Sequence, residues 1–130
     1  MTVVDDSVAT GTGDRTSSSP SGWAVVCDAA QLIPDRGVAA LVDGRAVAVF
    51  LLATGEVHAI DNVDPCSGAS VLSRGIVGDA AGVPTVASPM YKQRFDLRTG
   101  RCLDDDAKAV AVHGVRVLEG TIQVKVEPSP

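Results

Sequence analysis

The chain has 130 residues, enough for one domain with its own core, and carries a net charge of −5. This acidic balance argues against a nucleic-acid partner, which requires a basic face. Apolar residues form 45% of the chain and aromatic residues only 3%, so the predicted core is built from Val, Ala, Leu and Ile. The longest apolar run, Ala46 to Ala53, falls short of the roughly 18 residues that cross a bilayer, and we expect no membrane partner.

Composition divides the chain into three parts. Residues 1–22 are rich in Ser, Thr, Gly and Asp and have almost no periodic apolar pattern, which predicts a disordered N-terminal tail. A docking tail that becomes ordered on a partner is the alternative. Residues 23–127 are predicted to form the folded domain, and residues 128–130 a short C-terminal tail.

The cysteines and the N-terminus bear on localisation. Cys27, Cys66 and Cys102 are odd in number and widely separated, which favours free thiols in a reducing compartment. The N-terminus lacks the basic, apolar and cleavage segments of a secretory signal. We therefore expect a soluble cytoplasmic protein.

The first half of the domain shows the signals of antiparallel strands. Asp43-Gly44 lies between two apolar runs and predicts a tight hairpin. The run Ala46 to Ala53 is apolar at every position, as in a strand that is covered on both faces. Trp23 is predicted to anchor the edge of the core. The predicted elements are strands at Trp23–Cys27, Val38–Val42, Arg45–Leu52 and Glu56–Ile60, with a connection at Asp28–Gly37 that has room for one helical turn.

The second half continues with short strands and Gly-rich turns. Its last strand alternates, with Ile122, Val124 and Val126 on one face. The predicted strands are Ile76–Val77, Gln93–Leu97, Ala109–His113, Val115–Leu118 and Thr121–Val126, with turns at Gly78–Pro84, Arg98–Gly100 and Gly114 and a solvated acidic loop at Asp104–Asp106. The fold class is all-β, a small antiparallel sandwich or barrel.

Two stretches stand outside this strand pattern. They read Asp-Pro-x-Ser-Gly-Ala from Asp64 and Ser-Pro-x-Tyr-Lys-Gln-x-Phe-Asp-Leu-x-Thr-Gly from Ser88. Together they resemble the two cluster-binding loops of a Rieske-type [2Fe–2S] domain, and the resemblance covers about Trp23 to Val126. It implies a Rieske-like fold with two ligand-type loops. The frame of the motif is kept at Pro65, Gly68, Pro89, Phe95, Asp96 and Gly100.

The four positions that carry ligands in that family are changed. The two Cys positions are Asp64 and Ser88, and the two His positions are Cys66 and Tyr91. Iron–sulfur clusters require soft thiolates, with imidazoles replacing two of them in the Rieske type. Only one of these four side chains is soft, so we expect no cluster and no cofactor in this chain.

No other metal or catalytic pattern replaces the lost ligands. His58 and His113 each lie in a predicted strand, where we interpret them as structural residues, and no pair has metal-ligand spacing. The chain has no nucleophile motif and no dinucleotide fingerprint, so we expect no catalytic residue. For the vacated volume we hypothesise that the phenol of Tyr91 fills it, hydrogen-bonded to Asp64 or Ser88. The alternative is that Tyr91 points outward from the loop tip.

Loops of this shape without ligands are similar to those of the small subunit of NADH-dependent assimilatory nitrite reductase. The resemblance implies a non-catalytic chain that binds a large subunit carrying FAD, a [4Fe–4S] cluster and sirohaem. The loops Asp64–Ala69 and Ser88–Gln93 are then the predicted contact surface. Candidate docking residues are Pro65, Ser67, Gly68, Pro89, Met90, Tyr91, Lys92 and Arg94. The alternatives are a Rieske-type ferredoxin or oxygenase component, and an independent module that binds a small molecule.

Overall fold

The computed structural model describes residues 15–16 and 22–126, and these form ten strands and two short 3-10 turns. The predicted tails lie outside the described residues, except for Gly22 and the two-residue strand at Arg15–Thr16. The strands are β1 Arg15–Thr16, β2 Ala24–Asp28, β3 Arg36–Val42, β4 Arg45–Leu51, β5 Val57–Asp61, β6 Ile76–Ala80, β7 Val83–Ala87, β8 Arg94–Asp96, β9 Val112–Leu118 and β10 Thr121–Lys125. The 3-10 turns are Ala29–Gln31 and Leu72–Arg74.

The strands form a large and a small sheet. The seven-stranded sheet has the order β1-β3-β4-β5-β9-β10-β2, and the three-stranded sheet has the order β6-β7-β8. Every pairing is antiparallel except that of β1 with β3. The predicted all-β class is therefore confirmed. No helix within the described ranges is long and apolar enough to cross a membrane.

Strand β4 separates two hydrophobic cores, because its successive side chains point to opposite faces. Val47 and Val49 pack into the first core, between β4 and the strands β2 and β10. Ala48 and Phe50 pack into the second, against β7, β8 and the segment that follows them. All four side chains are fully buried, as the continuous apolar run predicted. The second core fixes the small sheet on the large one.

Turn chemistry explains the predicted hairpin at Asp43-Gly44. Both residues have positive φ, 51° and 81°, the conformation of a two-residue turn that matches the twist of paired strands. The pairing continues without interruption from Val42 and Arg45 to Arg36 and Leu51.

Two boundaries in the second half were predicted wrongly. The turn expected at Gly78–Pro84 is only Ala81-Gly82, and Gly78 and Pro84 lie inside β6 and β7. Gly114 does not separate two strands but lies within β9, paired with Lys125, while Ala109 makes only an isolated bridge. In both places, pairing with neighbouring strands outweighs the local tendency of Gly and Pro to break a strand.

Candidate functional site

The first loop, Asp64–Ala69, is closed at its base by Asn62. The carbonyl oxygen of Asn62 accepts hydrogen bonds from the amides of Val71 and Leu72, both at 3.0 Å. Its side-chain Oδ1 accepts from the amide of Ser73 at 2.7 Å. Asn62 is buried, and these bonds fold the chain back at the point where β5 has ended. Asn62 was not recognised from the sequence.

Inside the first loop, Asp64 organises the backbone. Its amide donates to the carbonyl of Ala69 at 2.8 Å, and its carbonyl accepts from the amide of Gly68 at 2.7 Å. Its side-chain Oδ1 accepts from the amide of Cys66 at 2.8 Å. Gly68 has a φ of +79°, which is why glycine suits this position.

The second loop, Ser88–Gln93, repeats this pattern residue by residue. The amide of Ser88 donates to the carbonyl of Gln93 at 2.9 Å, and its carbonyl accepts from the amide of Lys92 at 2.9 Å. Its hydroxyl accepts from the amide of Met90 at 3.2 Å. Lys92 has a φ of +64°, in the place of the glycine of the first loop. Asp64 and Ser88 therefore occupy equivalent positions in two loops of the same backbone design.

These two side chains meet between the loops. The hydroxyl of Ser88 donates to Oδ2 of Asp64 at 2.5 Å, and Nε2 of Gln93 donates to Oδ1 at 3.0 Å. Asp64 has no exposed surface, and Ser88 and Gln93 are buried. Gln93 was not recognised from the sequence, since no local signal distinguishes a Gln that hydrogen-bonds across to another loop from one that is solvated.

The side chains at the other two positions that carry ligands in the Rieske family do not join this buried group of hydrogen-bonded residues. Tyr91 is 66% exposed and Cys66 is also exposed. The hypothesis that the Tyr91 phenol fills the space between the loops is therefore wrong, and the outward alternative is confirmed. The physical reason is that Ser88 and Gln93 already donate to the two carboxyl oxygens of Asp64, so the partners expected for the phenol are bonded to other groups.

The donor set does not fit the [2Fe–2S] cluster that the family implies. A Rieske cluster takes two thiolates and two imidazoles. Here the two buried positions present oxygens that are hydrogen-bonded to each other, and the one sulfur, that of Cys66, lies at the exposed surface. Across residues 22–126, no three His, Cys, Asp or Glu side chains are grouped so that they could hold a metal ion.

The two histidines lie in strands and each has a carboxylate hydrogen-bond partner. His58 contacts Glu56 at 3.1 Å, and the buried His113 contacts Oδ1 of Asp61 at 2.8 Å. Asp61, the last residue of β5, also accepts two bonds from the Arg45 guanidinium, each 3.1 Å. Burial raises the pKa of Asp61, but hydrogen bonds from Arg45 and His113 outweigh it and lower this pKa below the usual value.

The candidate docking residues differ in exposure. Pro65 and Ser67 are half-buried, and Arg94 is exposed but held by Asp104, which accepts from its side chain and its backbone amide. Asp104 belongs to the acidic run predicted as a solvated loop, and it is exposed. The candidates that present free surface at the two tips are Gly68, Pro89, Met90, Tyr91 and Lys92.

An apolar pair dominates this tip surface. Met90 and Tyr91 are 48% and 66% exposed, and they are adjacent in the second loop. Exposed apolar side chains that are grouped at a loop tip are more informative than scattered ones, because a solvated loop has no need of them. The tip surface, defined as Pro89–Lys92 with Gly68, can therefore make contacts, while Asp64, Ser88 and Gln93 are buried behind it.

Comparisons with known proteins place this site in a family. The model of the Rieske-like [2Fe-2S] domain matches residues 22–125. The nitrite reductase (NADH) small subunit of Salmonella typhimurium is 41% identical over 106 residues, which are 81% of this chain and 98% of that relative. The nitrite reductase [NAD(P)H] large subunit of Klebsiella oxytoca is 42% identical over 102 residues, 78% of this chain, but the match spans only 11% of that large subunit.

Solved structures agree with these sequence relatives. An NADH-dependent nitrite reductase small subunit from Mycobacterium tuberculosis has a TM-score of 0.79 and 51% identity, covering 82% of this chain and 96% of that one. The ferredoxin of carbazole 1,9a-dioxygenase from Nocardioides aromaticivorans IC177 has a TM-score of 0.67 and 30% identity, covering 79% and 96%. The chain belongs to the Rieske-like [2Fe-2S] domain family, among the nitrite reductase (NADH) small subunits.

Proposed function

We propose that this chain binds the large subunit of an NADH-dependent nitrite reductase and acts there without a cluster of its own. The observation that carries this proposal is the match to the Klebsiella oxytoca large subunit, in which a domain 42% identical to this one is part of the same polypeptide. Because such a domain is part of the large-subunit polypeptide in one protein, we expect the separate domain of another protein to bind its own large subunit.

Donor chemistry supports the proposed absence of a cluster. Asp64 and Ser88 hydrogen-bond to each other where two thiolates would be required, and Tyr91 is turned outward. The chain's own residues therefore supply shape and contact surface, and no electron-transfer step is assigned to them. The large subunit is expected to carry FAD, a [4Fe–4S] cluster and sirohaem and to reduce nitrite to ammonia, in cytoplasmic nitrate assimilation.

The proposed contact is the tip surface. It combines a hydrophobic pair, Met90 and Tyr91, with the cationic side chain of Lys92, which makes no hydrogen bond or ion pair with any described residue. Tyrosine and methionine are enriched in protein interfaces, and a small number of such residues often dominates the affinity. Pro65, Ser67 and Arg94 then border this surface.

Binding to the large subunit from the same cell tests the proposal. Met90→Ser/Tyr91→Ser should weaken binding by at least about tenfold, since tyrosine is enriched among the few interface residues whose truncation costs about 2 kcal/mol or more. Val117→Ser/Leu118→Ser is the matched control, because these neighbours at the β9–β10 hairpin are 51% and 43% exposed. Binding is measured by titration calorimetry, and NADH-dependent nitrite reduction is followed with each variant. Equal affinity for both double variants would refute the proposed surface.

The ferredoxin alternative has support from the 30% identity to a dioxygenase ferredoxin. Purified protein distinguishes the two functions, because a [2Fe–2S] ferredoxin absorbs in the visible range and contains two irons per chain. We expect a colourless preparation with iron far below one atom per chain, even after reconstitution with iron and sulfide under reducing conditions. Stoichiometric iron would favour the ferredoxin.

A further inference from the structure

The first and second loops are joined at one residue. Two hydrogen bonds cross between them in the described structure, from the Ser88 hydroxyl and from Nε2 of Gln93, and both end on the carboxyl group of Asp64. The backbone bonds of each loop remain inside that loop or at its base. The separation of the two tips therefore depends on Asp64 and its two donors.

Burial makes this connection strong. Asp64 is fully buried, Ser88 is 1% exposed and Gln93 is 8% exposed, so that water does not compete effectively for the Asp64 carboxyl. Hydrogen bonds to a carboxylate are stronger than those between neutral groups, and a buried one is costly to leave unmade. Asp64 also accepts from the amide of Cys66, which couples the connection to the backbone of the first loop.

The repeated backbone design of the loops shows what the connection does. Asp64 and Ser88 each organise their own loop through the same set of bonds, and the bond between them joins the two organising residues. The organising residue of each loop is therefore bonded directly to that of the other. A side chain that only filled core volume would not have this relation to both loops.

We propose that Asp64, Ser88 and Gln93 are positioning residues that fix the two loops relative to each other and thereby hold the tip surface in its binding shape without metal. This inference rests on the proposed docking function and specifies how the docking surface is built. Met90 and Tyr91 lie between Ser88 and Gln93, the two residues that hold the second loop to Asp64. The orientation of the tip therefore depends on both bonds.

Hydrogen exchange in the opposite loop tests the coupling. Ser88→Ala and Gln93→Met each remove one crossing bond at small cost in volume. In both variants the amide of Gly68, in the first loop, should exchange about tenfold faster or more, although the substitution lies in the second loop. Ser67→Ala is the control, because the Ser67 hydroxyl accepts from the Ala69 amide within the first loop. Ser67→Ala should leave the hydrogen exchange of the Lys92 amide, in the second loop, unchanged.

Conservative substitution and chelation complete this test. Ser88→Thr keeps the hydroxyl, and it should retain slower Gly68 exchange than Ser88→Ala. Treatment of the wild-type chain with EDTA should leave the exchange of both loops unchanged. Unchanged Gly68 exchange in both Ser88→Ala and Gln93→Met would overturn the proposal, and so would loops that loosen only when a metal is removed.

Affinity for the large subunit separates this inference from the docking function. We expect Ser88→Ala and Gln93→Met to weaken binding about tenfold while the tip residues themselves are unchanged. Loosened loops with wild-type affinity would overturn the positioning role and leave the docking function standing. If Met90→Ser/Tyr91→Ser binds as tightly as the wild type, the tip surface is not the contact and the positioning role that rests on it fails as well, whereas a wild-type chain that does not bind the large subunit refutes the docking function itself.

Discussion

The carboxyl group of Asp64 accepts three hydrogen bonds at a position without solvent access, from the Cys66 amide, the Ser88 hydroxyl and the Gln93 side chain. A buried carboxyl group is stable only when its oxygens are satisfied. Gln93 supplies one of these bonds with Nε2, while its Oε1 is the buried side-chain atom without a hydrogen-bond partner in the described structure. The stability of the chain should therefore depend more on the charge and the number of hydrogen-bond donors of residue 93 than on its volume.

Gln93→Glu should destabilise the chain by about 3 kcal/mol more than Gln93→Met at pH 7. The Glu substitution places a second carboxyl oxygen where Nε2 lies 3.0 Å from Asp64, so that two buried acids repel or one must take up a proton. The Met substitution loses one hydrogen bond, which is worth about 1–3 kcal/mol. Urea unfolding measures both changes, and equal destabilisation would contradict the assignment.

The three thiols should differ in reactivity. Cys66 is exposed, whereas Cys27 and Cys102 are buried. Burial raises the pKa of Cys27 to about 11, and Asp28 adds to the shift, so that little thiolate is present there. In the native chain at pH 8, iodoacetamide should modify Cys66 at least about tenfold faster than the other two. Peptide mass spectrometry identifies the product, and fast modification of Cys27 would contradict this.

At the scale of elements, a glycine is required where a turn needs a positive φ and where a neighbouring backbone atom leaves no room for a Cβ. Gly44 and Gly100 have almost the same positive φ, 81° and 80°, but different surroundings. A Cβ on Gly44 would meet nothing within 4 Å, while one on Gly100 would collide with the carbonyl oxygen of Val110. Gly100 closes the turn after β8, where its amide donates to Asp96 and its carbonyl accepts from Val110.

Gly100→Ala should therefore destabilise the chain by about 3 kcal/mol or more, and Gly44→Ala by about 1 kcal/mol. Both substitutions incur the backbone cost of a left-handed conformation, which is about 1–2 kcal/mol for a residue with a Cβ. Only Gly100→Ala adds a steric conflict with a backbone atom, which no side-chain rotation relieves. Thermal unfolding monitored by circular dichroism gives the comparison, and equal shifts would show that the close approach to Val110 is relaxed at little cost.

At the scale of the whole molecule, Asp61 joins three neighbouring strands near the base of the first loop. It ends β5 and accepts bonds from Arg45 of β4 and His113 of β9. Since these bonds lower its pKa in the folded chain, Asp61 contributes stability above the pKa of the unfolded chain, near 3.8. That contribution is lost as the pH falls through the lower folded pKa.

Asp61→Asn should reduce the free energy of unfolding by about 1 kcal/mol at pH 7, a modest value because the pair is partly exposed. The difference from the wild type should shrink below about pH 4, where the unfolded chain takes up the proton first. Urea unfolding between pH 2.5 and 7 measures it. Asp106→Asn is the control, because Asp106 is exposed and has no ion pair in the described structure. If the difference in free energy of unfolding between Asp61→Asn and the wild type grew toward low pH, the lowered pKa of Asp61 in the folded chain would be contradicted.

Much of the fold was predictable because its signals are local. The hairpin at Asp43-Gly44 follows from two residues that tolerate positive φ, and the burial of β4 on both faces follows from its unbroken apolar run. The boundaries around Gly78 and Gly114 were not predictable in this way. There, hydrogen bonding to neighbouring strands, with Thr85 and Lys125 as the partners, keeps the chain extended despite the glycines.

The sequence by itself determined the all-β class, the two special loops and the change at all four ligand positions, because turn residues, strand periodicity and motif spacing are properties of neighbouring residues. Only the tertiary structure decided which side chains occupy the space between the loops. Ser88 and Gln93 are 24 and 29 residues from Asp64, and a bond over that distance depends on how the second core places the small sheet. Tyr91 points outward, and the carboxyl group of Asp64 takes its partners from Ser88 and Gln93, which no local pattern could pair with it.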